Sequence, residues 1–337
     1  MLSGNKIKVL IVDDSSFVRS CIRDILSDDL EIEVIAEASN GKQAAEMAGA
    51  LSPDIITIDV EMPVLDGVQA ISQIMAENPV PILVLTSQTS AETAFRCISR
   101  GALEVITKSD ITSAPGSLIK KIKTLSRVKV ISHIRGINKT PAQPVATKNN
   151  TLNKIIAVAS STGGPKALSV ILSGLPHNFN CPVVIAQHMS EGFIGGLISW
   201  LDSIVQMDIK IAENNEVLKP EYVYFCPSEY NMEITDFGVV KLVKRKPDEI
   251  YHPSCDKLLI SAAHVYGPGV MGVILTGMGD DGVAGIKTIK ERGGITVAQD
   301  SETSVVYGMN GEAVKLGVVD KVLPVTEICK EMMRFSR

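Results

Sequence analysis

Two groups of residues have the types and spacing to do chemistry, and each stands just past apolar runs. The first group is acidic. Asp13 and Asp14 close KVLIV, Asp59 closes DIITI within ITIDVEMPVLDG, Thr86 closes PILVL and Lys108 follows EVIT. Clustered carboxylates repel one another unless a cation joins them. An all-oxygen donor set suits a hard divalent ion, and small size suggests Mg²⁺. Lys108 adds a fixed positive charge and Thr86 a hydroxyl donor. Together they suit a phosphoryl group held on a carboxylate: metal and lysine neutralise its oxygens, and the hydroxyl reads its presence. Asp59 is the expected acceptor because it is central among the strand ends, with Asp13, Asp14 and Asp59 as metal ligands. Any one of these is an ordinary polar residue after a strand; the combination D-D, D-x-x-M-P-x-x-D-G, T and K, in that order, points to chemistry.

The second group holds a hydroxyl, an imidazole and a carboxylate. IIAVAS runs into Ser161-Thr162-Gly163-Gly164-Pro165-Lys166, VVIAQ into His188, and GVILT into Gly277-Met278-Gly279-Asp280-Asp281-Gly282. A serine hydroxyl is a weak nucleophile that needs a base. Histidine serves as one near neutral pH, and an aspartate fixes its tautomer and stabilises the imidazolium. The glycines let the backbone approach a ligand closely, and helix N-termini or the Gly-Met-Gly turn offer N–H donors to an oxyanion. Each piece alone also fits a structural part: SSTGGPK a helix cap with proline near the first turn, QHM a core histidine, GMGDDG a turn. Phosphate binding is the other reading of G-G-P-K, but the G-x-x-x-x-G-K-[ST] spacing is absent. So is the G-x-S-x-G elbow of ordinary α/β-hydrolases.

These residues need a scaffold that brings strand ends together. Over residues 1–125, five short apolar runs alternate with helical stretches such as SFVRSCIRDIL, and a helix over about 116–135 follows. That pattern predicts a (βα)₅ unit with a five-stranded parallel sheet covered on both faces. Residues 154–337 alternate IIAVAS, CPVVIAQ, YVYFC, VVKLV, GVMGVILT, GITVAQ and LGVVDKVL with helices. They are expected to form a doubly wound α/β domain with a mainly parallel sheet and an antiparallel hairpin insertion around 205–245. In both halves, residues past the carboxyl ends of strands meet in one crevice.

Between the halves, residues 126–153 carry five basic residues and no acid. NKTPAQPVATKNNT within them is polar, Pro-containing and aperiodic, which reads as a linker. The flanking segments carry net charges of −6 and −4. The positive linker is therefore either a solvated spacer or an aid to docking two acidic domains. At 337 residues two domains are expected, at about 150 residues each. The net charge of −5 and the 4% aromatic content argue against nucleic-acid binding. The six cysteines contain no C-x-x-C pair, so they read as small core residues of a reducing compartment. MLSGNKIKVLIVDD lacks the parts of a signal peptide, and no apolar run approaches the roughly 18 residues of a membrane span. A cytoplasmic protein without direct membrane insertion is expected.

Residues 1–125 resemble a response-regulator receiver domain. The resemblance makes Asp59 the phosphorylated aspartate, Asp13 and Asp14 the metal-binding pair, and Thr86 and Lys108 the switch hydroxyl and lysine. Nearly the whole chain resembles the protein-glutamate methylesterase family of bacterial chemotaxis, which also deamidates glutamines. VASSTGGPKAL, QHM, HPSCDKLLISAA, ILTGMGDDG and AQDSETSVVYGM carry that likeness. It implies a catalytic triad of Ser161, His188 and Asp281, with the Met278 backbone N–H at the oxyanion hole. It also implies Mg²⁺ in the receiver and none for the esterase chemistry. The implied substrates are methyl-accepting chemoreceptors, and a histidine kinase is the implied phosphoryl donor.

Departures from the family pattern stand at Ser109, where Lys-Pro with a cis bond is usual, and at Val105 in place of an aromatic. Ser228, Asn231 and Asn310 also differ. A cis bond before serine costs about 2.5–4 kcal/mol, so the Lys108 loop is expected to differ. Two other classes of protein compete with the enzyme: a phosphorylation-gated adaptor whose triad residues are only caps and turns, and a DNA-binding regulator. The acidic, large second half argues against the latter.

Overall fold

The computed structural model describes residues 6–86, 91–130, 154–246, 249 and 251–337. The chain divides into two compact units, Met1–Ile137 and Asn138–Arg337. Most of the expected linker, 131–153, lies outside the described residues.

In the first unit, strands β1 (Ile7–Val12), β2 (Ile32–Ala38), β3 (Ile55–Asp59), β4 (Ile82–Thr86) and β5 (Glu104–Thr107) form one sheet of order β2-β1-β3-β4-β5. Every pairing is parallel. Helices α1 (Ser16–Ser27), α2 (Gly41–Leu51), α3 (Gly67–Glu77), α4 (Ala91–Ser99), α5 (Lys108–Ser113) and α6 (Pro115–Leu125) complete the unit. With helices on both faces, β3 and β4 are buried at every residue, which is why they read as unbroken apolar runs. Ser15, Asn40 and Asp66 accept N–H bonds from the first turns of α1, α2 and α3, so the sequence stops each loop where a helix must begin.

One expectation about this unit is corrected. The helix expected to reach 135 ends at Leu125, where Ser126 caps it. The β-branched Val128 and Val130 that follow disfavour helix. The Lys108–Ser109 bond is trans, and the cis peptide found among the described residues is His252–Pro253. Lys108 opens α5. A reciprocal capping box, with Thr107 Oγ1 accepting from Asp110 N–H and Asp110 accepting from Thr107 N–H, fixes that start.

The second unit is built on β6 (Ile155–Ser160), β7 (Val183–Gln187), β8 (Asp208–Ile211), β9 (Tyr222–Phe225), β12 (Val270–Ile274), β13 (Ile295–Gln299) and β14 (Lys321–Leu323). They pair in parallel in the order β14-β13-β12-β6-β7-β9-β8. The flanking helices are α7 (Gly164–Leu172), α8 (Ile194–Asp202), α9 (Cys255–Tyr266), α10 (Val283–Glu291), α11 (Met309–Lys315) and α12 (Val325–Phe335). A separate antiparallel hairpin joins β10 (Tyr230–Thr235) to β11 (Val239–Lys244).

The expected insertion is therefore narrower than 205–245. β8 and β9 are parallel members of the main sheet, and only β10–β11 is antiparallel. Residues 212–221 make the β8–β9 crossover without a helix. They are anchored by buried Leu218, whose N–H bonds Gly238 O. The core between sheet and helices is aliphatic, with Ile155, Val184, Leu258, Leu259, Ile274 and Ile286 wholly buried.

Candidate active site and acidic pocket

In each sheet the chain reverses direction beside the central strand, and a crevice opens past the strand ends there. In the first unit that place is between β1 and β3. Asp13, Asp14 and Asp59 each offer a carboxylate oxygen, all within 4.8 Å of one another. Lys108 Nζ reaches across from the end of β5, 2.7 Å from Asp59 Oδ2 and 2.8 Å from Asp13 Oδ2. Val60 N–H donates to Asp59 Oδ1 at 2.7 Å and Ser15 N–H to Asp13 Oδ1 at 2.9 Å. Thr86 Oγ1 is buried with no hydrogen-bond partner among the described residues.

Burial pushes the Asp59 carboxyl above its usual range, and Asp13 adds to this. The Lys108 ammonium opposes the rise without cancelling it. For Lys108, burial alone would lower the pKa, but its bonds to Asp13 and Asp59 outweigh that and raise it. Three hard oxygen donors with Asp14 exposed fit a Mg²⁺-sized cation. Four of the five expected receiver residues, Asp13, Asp14, Asp59 and Lys108, are thus brought together, and Thr86 ends the neighbouring strand β4.

In the second unit β6 has β12 on one side and β7 on the other. Ser161 follows β6, His188 follows β7, and Asp281 lies in the loop after β12. The adjacent serines are distinguished by their partners. Ser160 is wholly buried and its Oγ donates to Gln187 Oε1 at 2.5 Å. Ser161 keeps 8% exposure, and its Oγ makes no hydrogen bond with a described residue. Backbone bonds hold Ser161 in place: its N–H donates to Thr276 O at 3.1 Å, and Gln187 Nε2 donates to its carbonyl at 2.9 Å. Glycine is needed on two sides. A Cβ at Gly164 would collide with Ser160 Oγ and Gln187 Oε1, and one at Gly277 would lie 2.5 Å from Ser161 Cβ. The Gly-Met-Gly turn therefore packs directly on the serine. The N–H groups of Met278 and Thr162 meet no acceptor among the described residues and are free for an incoming anion.

His188 Nε2 lies 2.7 Å from Asp281 Oδ2. A carboxylate only accepts, so this nitrogen carries the proton and Nδ1 keeps the lone pair. The ring stacks on Tyr251 with centroids 5.3 Å apart and planes 9° from parallel. Tyr251 Oη donates to Asp280 Oδ1 at 3.2 Å, so the neighbouring aspartate holds this cover rather than the imidazole.

Asp281 is seated on the N-terminus of α9. Cys255 N–H donates to Oδ2 at 2.7 Å, Asp256 N–H to Oδ1 at 2.9 Å and Ser254 Oγ to Oδ1 at 3.2 Å. Burial alone would raise this carboxyl, but the His188 bond and the two backbone N–H groups outweigh it and hold it below the usual range. Asp256 in turn accepts from Gly282 and Gly285 N–H at the start of α10, locking the two helices together. Asn231 lies one step further out. Its Oδ1 accepts Ser254 N–H at 2.8 Å, so this departure from the family pattern supports the Asp281 seat. Asn310 Nδ2 donates to Gln299 O and Ser304 Oγ, a purely structural tie.

Sequence reasoning missed three contributors. Gln187 is one residue before His188 and fixes both serines. Ser254-Cys255-Asp256 carries the helix-cap signal of HPSCD, but nothing local says which carboxylate it receives. Tyr251 gives no signal, because its stacking is a long-range contact.

Comparison with known proteins finds relatives of both units. A family model described as CheB methylesterase matches residues 156–332, and one described as response regulator receiver domain matches 9–123. A protein-glutamate methylesterase/protein-glutamine glutaminase of Paramagnetospirillum magneticum is 41% identical, covering 100% of this chain and 98% of its own. One from Pyrococcus abyssi is 37% identical over 99% of this chain and 94% of its own. Among solved structures, the catalytic domain of Thermotoga maritima CheB methylesterase matches with a TM-score of 0.52 and 39% identity. It covers 54% of this chain and 97% of that domain.

Proposed function

The chain belongs to the CheB methylesterase family, and on that premise we propose that it hydrolyses γ-glutamyl methyl esters on the cytoplasmic helices of chemoreceptors. It also deamidates selected glutamines there, and phosphorylation of Asp59 regulates both activities. The observation that carries this reading is the His188–Asp281 pair, one strand over from a serine whose hydroxyl has no partner among the described residues.

Ser161 Oγ attacks the ester carbonyl while its proton passes to His188 Nδ1. The imidazolium then donates from Nε2 to a carboxylate held ionised by α9. The tetrahedral oxyanion takes the free N–H of Met278, with that of Thr162 beside it. His188 returns the proton to the leaving methoxide, and methanol departs. Water, deprotonated by the same nitrogen, clears the acyl-enzyme and regenerates Ser161. With a glutamine side chain the leaving group is ammonia. Catalytic hydrogen bonds often tighten only in the complex, so the Ser161–His188 bond is made as substrate binds.

In the receiver, Asp59 accepts a phosphoryl group from a histidine kinase. Asp13, Asp14 and Asp59 would hold Mg²⁺, which when bound would supply charge neutralisation for the transferring group. Lys108 then pairs with the phosphoryl oxygens, and the unpartnered Thr86 hydroxyl donates to one of them. Phosphorylation shifts a two-state equilibrium of the chain from a less active toward a more active form. These partners place the protein in the cytoplasm.

Methanol release from methylated receptor fragments tests the reading. Wild type releases methanol, and Ser161→Ala is expected to fall by about 10³-fold or more. Equal release by both would make Ser161 a helix cap. A phosphoryl donor is expected to raise release by wild type and not by Asp59→Asn; equal responses would remove the regulatory part.

A further inference from the structure

Cys255 is unused by this mechanism, yet its side chain touches the base. It is wholly buried at the first turn of α9, with Sγ 3.5 Å from His188 Nε2 and 3.5 Å from Ala186 O. His188, Cys255 and Asp281 form one of two groups of metal-ligating side chains found among the described residues. Each offers one donor atom, and the three atoms lie within 4.8 Å of one another. We propose that His188, Cys255 and Asp281 are the three protein ligands of a thiophilic divalent cation of the Zn²⁺ class, whose binding shuts the esterase off.

The dimensions suit such an ion. Tetrahedral zinc, at about 2.0–2.1 Å from nitrogen and 2.3 Å from sulfur, separates those ligands by about 3.5 Å. His188 Nε2 and Cys255 Sγ are already that far apart. The Nε2–Oδ2 distance must open from 2.7 Å by about half an ångström. Asp281 Oδ1 keeps its bonds to Asp256 N–H and Ser254 Oγ while Oδ2 turns to the metal.

The charge balance is favourable as well. The thiol S–H bond breaks, the sulfur–metal bond forms, and one proton leaves to solvent. A thiolate, a carboxylate and a dication then sum to zero, an improvement on the lone carboxylate charge buried there otherwise.

Shutting off follows from the proton inventory, and this step rests on the proposed role of His188. Metal on Nε2 displaces the ring proton to Nδ1. The lone pair that would accept the Ser161 proton is then gone, and the charge of Asp281 is directed to the ion instead of an imidazolium. A thiolate selects zinc- or cadmium-like ions over Mg²⁺, whereas the receiver trio is all oxygen. One protein therefore carries a hard site that Mg²⁺ fills and a soft site that it does not.

The test uses the reduced full-length enzyme with Co²⁺ as optical probe and Zn²⁺ as inhibitor. Expected with Co²⁺ is a thiolate-to-cobalt charge-transfer band in wild type that Cys255→Val and Cys255→Ala both lack. Expected in a metal-buffered methanol-release assay is that each variant, scored against its own zinc-free rate, needs at least about tenfold more Zn²⁺ for half inhibition. No band in wild type, which requires no variant to fold, overturns the site. Equal zinc sensitivity of wild type and variants, or a rise in rate with zinc, overturns the shut-off. A band without inhibition would keep the ion site and count instead against His188 as the base.

Discussion

Asp59 and Asp281 are both nearly inaccessible carboxylates, at 5% and 4% exposure, and both stand beyond parallel strands at a reversal of sheet order. Their pKa values are nevertheless displaced in opposite directions, Asp59 upward and Asp281 downward. Burial pushes both up, so the partners decide. Asp59 has one backbone N–H, one lysine and the opposing charge of Asp13. Asp281 has two backbone N–H groups at a helix N-terminus, a hydroxyl and an imidazole. A movable counter-ion leaves a carboxylate able to react, and fixed backbone dipoles leave one able only to orient and stabilise. The first suits a phosphoryl acceptor and the second the silent member of a triad.

Substitutions that exchange those properties sharpen the contrast. The largest effect is expected for Asp281→Asn, whose amide presents a donor to donors and loses the charge facing the imidazolium. Steady-state methanol release should fall by about 10³–10⁴-fold, with the fold retained by circular dichroism. The same variant changes acid stability. Because the Asp281 pKa is lowered on folding, its stabilisation is complete above the ordinary carboxylate range and is lost as pH falls through the lowered value. The variant should lack that part of the acid transition.

A smaller effect is expected for Lys108→Met. It leaves Asp13 and Asp59 facing each other without a cation. Breaking a buried pair costs about 3–5 kcal/mol, and with Lys108 27% exposed the loss should be about 1–2 kcal/mol at neutral pH. Asp59 is raised on folding, so its ionised form costs stability above that pKa. The deficit in denaturant unfolding should narrow as pH falls through it. A deficit that does not change with pH would break the comparison. The smallest effect is expected for Tyr251→Phe, which keeps the stack on His188 and removes one hydrogen bond to Asp280. About 1 kcal/mol, or fivefold or less in kcat/KM, is the expected loss.

Much of this was legible before any coordinates. Apolar runs buried on both faces fixed β1, β3, β4, β6, β7 and β12, and polar residues at their ends marked both crevices. Where the reading failed, local pattern was outweighed by pairing. Asp208–Ile211 has partly exposed, alternating residues typical of an edge, and its parallel partner β9 is set by the buried Leu218 crossover rather than by a hairpin turn. Ser109 in place of the usual proline argued against a cis bond after Lys108 but not for a helix, and Thr107 and Asp110 supply a capping box that starts one there. At the candidate active site, Ser161, His188 and Asp281 each lie beyond the end of a strand, a placement that the apolar runs before them announced. The helix terminus that tunes Asp281, the Tyr251 cover and the Cys255 contact depend on residues 25 to 67 positions away, which no local pattern reports.

The account turns on one hydroxyl being the nucleophile and its neighbour being structural. The direct measurement is reaction of the full-length protein with a serine-directed phosphonate, followed by peptide mapping of the adduct in wild type, Ser160→Ala and Ser161→Ala. The expected result is a single adduct on Ser161, retained in Ser160→Ala and absent from Ser161→Ala. An adduct on Ser160, or no adduct on a folded protein, would contradict it and favour an adaptor in which these residues only cap and turn.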